Sequence, residues 1–177
     1  MTSRKNCLRL TGAVAAFLLV LTPNAFAKHP GTGGQAQVPC GDGEITYSPV
    51  ALWPPNHKMM QIGISFAESE TTTDSDTLGI QVTAISSNQD SQDASGGFGC
   101  GRETGPGDDW VFSTTPVTGA AGVDNVPVTT SVQVAAERCG EIKSARVYSI
   151  DVTCTDSDGT TDTAVLTVTV MHDKGKH

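Results

Sequence analysis

Aromatic residues are scarce in this chain, at 5% of 177 positions, so the few present are expected as core anchors rather than as an open stacking platform. Positive charge is scarce too. Residues 1–27 hold three of the 11 Lys/Arg and none of the 19 Asp/Glu, which leaves eight cations against 19 carboxylates from Lys28 onward, a net −11. Such a balance favours solubility and opposes contact with nucleic acid or an anionic membrane. No C-x-x-C pair occurs and the cysteine spacings are long, which argues against a structural zinc site. H-E-x-x-H, G-x-S-x-G, Walker and dinucleotide fingerprints are all missing, and no acid–base pair can be assembled from the motifs present. The expectation is therefore a protein without catalytic residues and without a cofactor. Past residue 27 there is no apolar run long enough to span a bilayer and no amphipathic helical pattern.

What is present begins with an export signal. Arg4, Lys5 and Arg9 precede an apolar run within Thr11–Leu21, and Ala25-Phe26-Ala27 supplies a small-x-small cleavage site. The reading is a signal peptide over 1–27, cleaved after Ala27, so that the mature chain is secreted or periplasmic without inserting in the membrane. Cys7 precedes the apolar run and is not placed for lipidation. Four cysteines remain: Cys40, Cys100, Cys139 and Cys154. An even count in an exported chain reads as two disulfides. Three pairings are open. Cys154 shares a face with the core residues Ile150 and Val152, and Cys40 precedes the first strand. The favoured pairing is Cys40–Cys154 with Cys100–Cys139, the second bond pinning a long loop.

Residues 28–39 are rich in Gly, Pro and Gln without periodicity and read as a flexible lead-in. From residue 40 to 175 the chain reads as one domain of short strands. Glu44–Ser48 is a candidate first strand. Met60, Ile62, Ile64 and Phe66 alternate with smaller or more polar residues, as do Leu78, Ile80, Val82 and Ala84, at the period of a half-buried strand. Trp110–Phe112 is a short strand or loop anchor, and Thr118–Asn125 reads as a turn region. Val128–Ala136, the stretch from about Arg146 to Cys154, and Ala164–Val170 alternate again, the last two joined by a turn at Asp156–Gly159. Ser86–Asp109 is a long polar loop containing Cys100, a length usually tied to function or to a crosslink. About seven strands joined by turns predict an all-β, antiparallel, immunoglobulin-like β-sandwich.

Leu52-Trp53-Pro54-Pro55-Asn56-His57-Lys58 interrupts this pattern. Two prolines fix φ and withhold backbone donors, and each restricts the residue before it to extended conformations. The stretch is expected to be a rigid crossing from one sheet edge into the first long strand.

This segment, with Ala136-Glu137-Arg138, Arg146-Val147-Tyr148, the Thr155–Gly159 hairpin and His172-Asp173-Lys174-Gly175, resembles a bacterial immunoglobulin-like (cadherin-like) extracellular module over residues 40–175. The resemblance implies a β-sandwich module, usually repeated or appended to other domains, with no settled molecular activity. Cys139 departs from the pattern, where a small polar residue is usual.

Several groups are candidates for chemistry. His57, His172 and Asp173 would hold a divalent metal if the strand ends that carry them meet; the plainer role is a polar staple satisfying backbone groups beside the prolines. Asp156, Asp158 and Asp162 superficially resemble a calcium loop but lack the bidentate Glu, and an Asp-Gly turn explains them. A thiol at Cys100 or Cys139 with His57 as base is the nucleophilic alternative to a disulfide. Trp53 and Trp110 would serve as a sugar-stacking surface if exposed. Arg138 and Arg146 are expected to form ordinary ion pairs with Glu137 and Glu141. The functional expectation is a secreted, disulfide-stabilised module for structure, adhesion or interaction. The alternatives are an extracellular protein or glycan ligand at the 86–110 loop with Trp110, and a metal at His57, His172 and Asp173.

Overall fold

The computed structural model describes residues 33–68, 77–89, 109–120, 126–138 and 144–171. Among them are ten strands and no helix: β1 (Ala36–Cys40), β2 (Gly43–Ser48), β3 (Ala51–Leu52), β4 (Met59–Glu68), β5 (Thr77–Ser87), β6 (Trp110–Val111), β7 (Val117–Ala120), β8 (Val128–Ala135), β9 (Arg146–Thr155) and β10 (Thr161–Val170). They form two packed sheets, β1-β2-β4-β8-β6 and β3-β10-β9-β5-β7. The inner strands β2, β4 and β8 stand as A, B and E of an immunoglobulin-type sandwich, and β5, β9 and β10 as C, F and G.

The long strands follow directly from side-chain alternation. In β9 every second residue from Arg146 to Cys154 is buried, and in β10 Ala164, Leu166, Val168 and Val170 point inward. The interior is aliphatic, with Phe66 and Tyr148 its largest fully buried side chains. In β5 the alternation breaks. A bulge between Val82 and Ala84 shifts the register, so Ile85 is buried and Ala84 only half so.

Three strands exceed the expected seven. β1 occupies residues read as flexible lead-in, pairing with β2 from Ala36↔Tyr47 to Cys40↔Gly43. Its connection is the two-residue loop Gly41-Asp42, with the positive φ (58°) confined to Gly41, as in a type II′ turn. Pro39 is tolerated because β1 is an edge strand. β7 overlaps the start of the stretch read as a turn region, Thr118–Asn125, and pairs with β5. β3 is only two residues long and runs parallel to β10.

The proline-rich stretch is a crossing between sheets. β2 belongs to one sheet, β3 to the other, and β4 to the first again. Past Trp53 and the prolines, the backbone N–H groups of Asn56 and His57 both donate to Ala136 O (2.8 and 3.1 Å), and Ala136 N donates to Lys58 O (2.8 Å). The crossing therefore ends clamped to the residue that follows β8.

Candidate functional site

The most elaborate polar arrangement lies where β5 ends and β9 begins. Arg146 opens β9 on the same face as Tyr148 and Ile150, so strand alternation drives its side chain inward, and it is 2% exposed. A buried guanidinium requires partners. Its Nη2 and Nη1 donate to Asp109 Oδ2 and Oδ1 at 2.9 and 3.4 Å, and its Nε donates to Ser87 Oγ at 2.9 Å. Its face lies over the Tyr148 ring, 4.7 Å from the centroid. Asp109 is itself 4% exposed, and its carbonyl accepts from Ala135 N at 2.7 Å. Tyr148 donates its hydroxyl proton to Ala135 O at 2.9 Å. Burial pushes the phenol well above its ordinary range; Arg146 opposes the shift, while Asp109 and Glu137 add to it.

Flanking residues complete the cluster. The Asn88 side chain donates to Ala145 O (3.1 Å) and accepts from Val147 N (2.7 Å), and buried Gln89 donates to Ser144 O (3.0 Å). Ser87–Gln89 and Asp109 are the two feet of the long polar stretch, and both feet are bound to the start of β9. The expectation of ordinary ion pairs for Arg146 with Glu137 or Glu141 is thereby corrected. Its partner is Asp109, because the inward-facing position buries the guanidinium away from surface carboxylates. Glu137 instead lies 3.2 Å (Oε2) from His57 Nδ1.

His57 adopts a positive φ (59°) with its side chain 67% exposed, and its backbone N–H is one of the two on Ala136 O. His172 and Asp173 lie outside the described residues, which end at Met171, whose N–H donates to Leu52 O at 3.0 Å. Cys100, Cys139 and Glu141 also lie outside them. Trp110 is half-buried and meets the Tyr148 ring edge-on, 6.3 Å between centroids at 81°.

The opposite end of the sandwich carries the disulfide. Cys40 and Cys154, each 1% exposed, are bonded with Cα atoms 6.3 Å apart, joining the β1–β2 hairpin to β9 of the other sheet. Around it the carboxylates are occupied by backbone donors. Asp156, 5% exposed, accepts from Thr160 N at 2.7 Å, and Glu68 accepts from Ser157 N at 2.6 Å. Asp162 accepts from Thr163 N (2.7 Å) and Gly41 N (3.1 Å), which together lower its pKa. Gly159 (φ 80°) closes the turn. Among the described residues no group of three or more His, Cys, Asp or Glu is arranged to hold a metal ion.

Arg146, Asp109, Ser87, Asn88 and Gln89 were not singled out as a cluster by sequence. Arg146 was findable: it extends the period-2 face of Tyr148, Ile150, Val152 and Cys154 by one step. Asp109 carries no such signal, because it sits in an irregular stretch before a two-residue strand. No protein-family model, no curated protein and no solved structure matches this chain.

Proposed function

We propose that the protein acts outside the cytoplasm as a disulfide-stapled immunoglobulin-like module whose role is structural or adhesive rather than catalytic. The observation that carries this reading is the buried Cys40–Cys154 bond, which joins the two sheets and belongs to an oxidising compartment. The export signal read over 1–27 and the resemblance to extracellular modules point the same way. The precisely placed polar side chains support it as well. Arg146, Asp109, Tyr148, Asp156 and Asp162 are each engaged with backbone or with one another, which suits holding a shape. The test is fractionation of expressing cells followed by non-reducing peptide mapping. The mature chain, beginning at Lys28, is expected in the periplasm or medium with Cys40 joined to Cys154. A full-length chain in the cytoplasm with free thiols at these positions would overturn the reading.

A second reading is a module that binds an extracellular protein or glycan through the 86–110 region. It is favoured by the attachment of both feet of that region to the start of β9. A glycan array with wild type and Trp110→Ala tests it, and consistent binding lost in the variant supports it. A metal at His57, His172 and Asp173 is tested by metal content of protein purified without chelator, with His57→Ala as the control.

A further inference from the structure

Natural β-sheets blunt their edges, because an open edge offers unpaired N–H and C=O groups to any extended strand. Among the described residues, three of the four sheet edges are blunted. β3 is paired on its outer side by Gly33, with Gly33 N to Ala51 O at 2.9 Å and Ala51 N to Gly33 O at 3.1 Å. β1 contains Pro39, and β7 is four residues long behind Pro116. The fourth edge differs. β6 covers β8 only at Val134 and Gln133. Beyond Val111 the chain leaves β8 for the other sheet, where Thr114 O accepts from Gln81 Nε2 at 2.6 Å. The outer edge of Val128-Thr129-Thr130-Ser131-Val132 therefore has no hydrogen-bonded strand beside it among the described residues, although Gly119 of β7, in the other sheet, packs against the Val128 side chain. It carries no charge, proline or bulge, and four of its five residues are β-branched. Exposed valines flank it: Val126 (60%), Val111 (49%) and Val117 (36%).

We propose that this edge is a self-association surface, to which β8 of a second copy adds antiparallel across a twofold axis through Thr130. The edge is complementary to itself. Val128 meets the partner's Val132 on the core side, Thr129 meets the partner's Ser131 on the outer face, and Thr130 meets the partner's Thr130. The length also fits: Pro127 ends the strand at one side and β6 occupies the ladder at the other, so five residues pair with five. That register brings Pro127 level with the partner's Val111, and Val126 level with the partner's Trp110. Charge does not oppose the contact at this edge. Two chains of net −11 repel over most of their surface, whereas β8 has no carboxylate and the outward residues beside it on β4 are Gln61, Gly63 and Ser65. The pairing would join two five-stranded sheets into one, a closed isologous dimer.

Sedimentation equilibrium of the mature, disulfide-intact protein tests this. The expected result is twice the chain mass at high concentration, falling to the chain mass on dilution. Thr129→Lys with Ser131→Lys sets like charges face to face and is expected to weaken dimerisation by at least about tenfold. Thr129→Lys with Ser131→Glu sets opposite charges face to face and is expected to retain the dimer. Amide exchange of wild type at high and low concentration gives a readout independent of any variant, with added protection expected within Val128–Val132. A single-chain mass at every concentration, a dimer untouched by the double lysine variant, or protection gained elsewhere would each overturn the proposal.

Discussion

Arg146 shows what a single inward-facing charge demands. Its guanidinium and the Asp109 carboxylate are both removed from water, and each is tolerable only because the other is there. Arg146→Met alone should leave a buried carboxylate without its partner and lower stability by ~3–5 kcal/mol. Arg146→Met combined with Asp109→Leu should recover most of that loss, and urea unfolding of the two variants checks the difference. An equal loss in both would mean that the pair does more than neutralise itself. Two titrations follow from nearby and distant groups. Burial raises the Tyr148 phenol, so above about pH 10 the unfolded chain releases a proton that the folded chain retains, and stability falls as pH rises. Tyr148→Phe should remove that alkaline component while costing about 1 kcal/mol at neutral pH for the lost bond to Ala135 O. Asp162 has the opposite sign. Its carboxylate is held below the usual range by Thr163 and Gly41 N–H donors, so its contribution is present above about pH 4 and is lost as pH falls through the folded value. Melting curves between neutral and acid pH should show a smaller acid-side decline in Asp162→Asn than in wild type. At this scale the sequence was partly legible. Alternation in β9 buries Arg146 as surely as Ile150, but its partner stands outside any repeating pattern.

Elements differ in how much sequence they need to declare themselves. β4, β9 and β10 are ten residues each, long enough for period-2 burial to repeat several times, and all were readable. β3 and β6 are two residues each, and two residues have no period. They exist because a neighbouring strand offers an edge, which is a tertiary fact. The bulge in β5 is similar: Ile85 replaces Ala84 on the core face only because the pairing with β9 slips there. The β1–β2 hairpin makes a prediction at this scale. Gly43 opens β2 where a Cβ would lie 2.5 Å from Phe66 Cε2 and 2.6 Å from Ala67 O, so the backbone of β2 can approach β4 only without a side chain. Gly43→Ala should force Phe66 or the strand aside and cost about 1–3 kcal/mol in chemical denaturation. Gly63→Ala is the control, since its Cβ would meet nothing closer than Ser48 O at 3.9 Å, and it should change stability far less. Similar losses in both variants would show that crowding against Phe66 and Ala67 does not set the cost, since the reduced freedom of the unfolded chain would by itself favour the alanine variants.

Across the whole molecule the two ends of the sandwich are secured by different means. One end has the Cys40–Cys154 bond, spanning 114 residues, and the other has the Arg146 cluster. Cysteine count and the export signal expected over 1–27 made the first legible, and the choice of partner followed from the inward face of Cys154. Replacing both Cys40 and Cys154 by Ala should lower stability by ~2–5 kcal/mol, chiefly because the unfolded chain regains the freedom that the crosslink removes. The second expected bond, Cys100–Cys139, lies outside the described residues, but the chain on either side of it is fixed. Asp109 O accepts from Ala135 N at 2.7 Å, which fixes two points of the chain close together. Cys100 lies nine residues before the first and Cys139 four after the second, and at up to ~3.6 Å per residue those lengths of chain are enough for a bond between them. A non-reducing peptide map of the mature protein should therefore contain a Cys100–Cys139 peptide. Replacing that pair by Ala should lower stability by ~2–4 kcal/mol on the same unfolded-chain argument, and raise amide exchange at Trp110 and Val111, which lie between the two cysteines in the chain. Free thiols at both positions, or a map that joins Cys100 to Cys40 or Cys154, would show that the Arg146 cluster secures this end without a covalent partner.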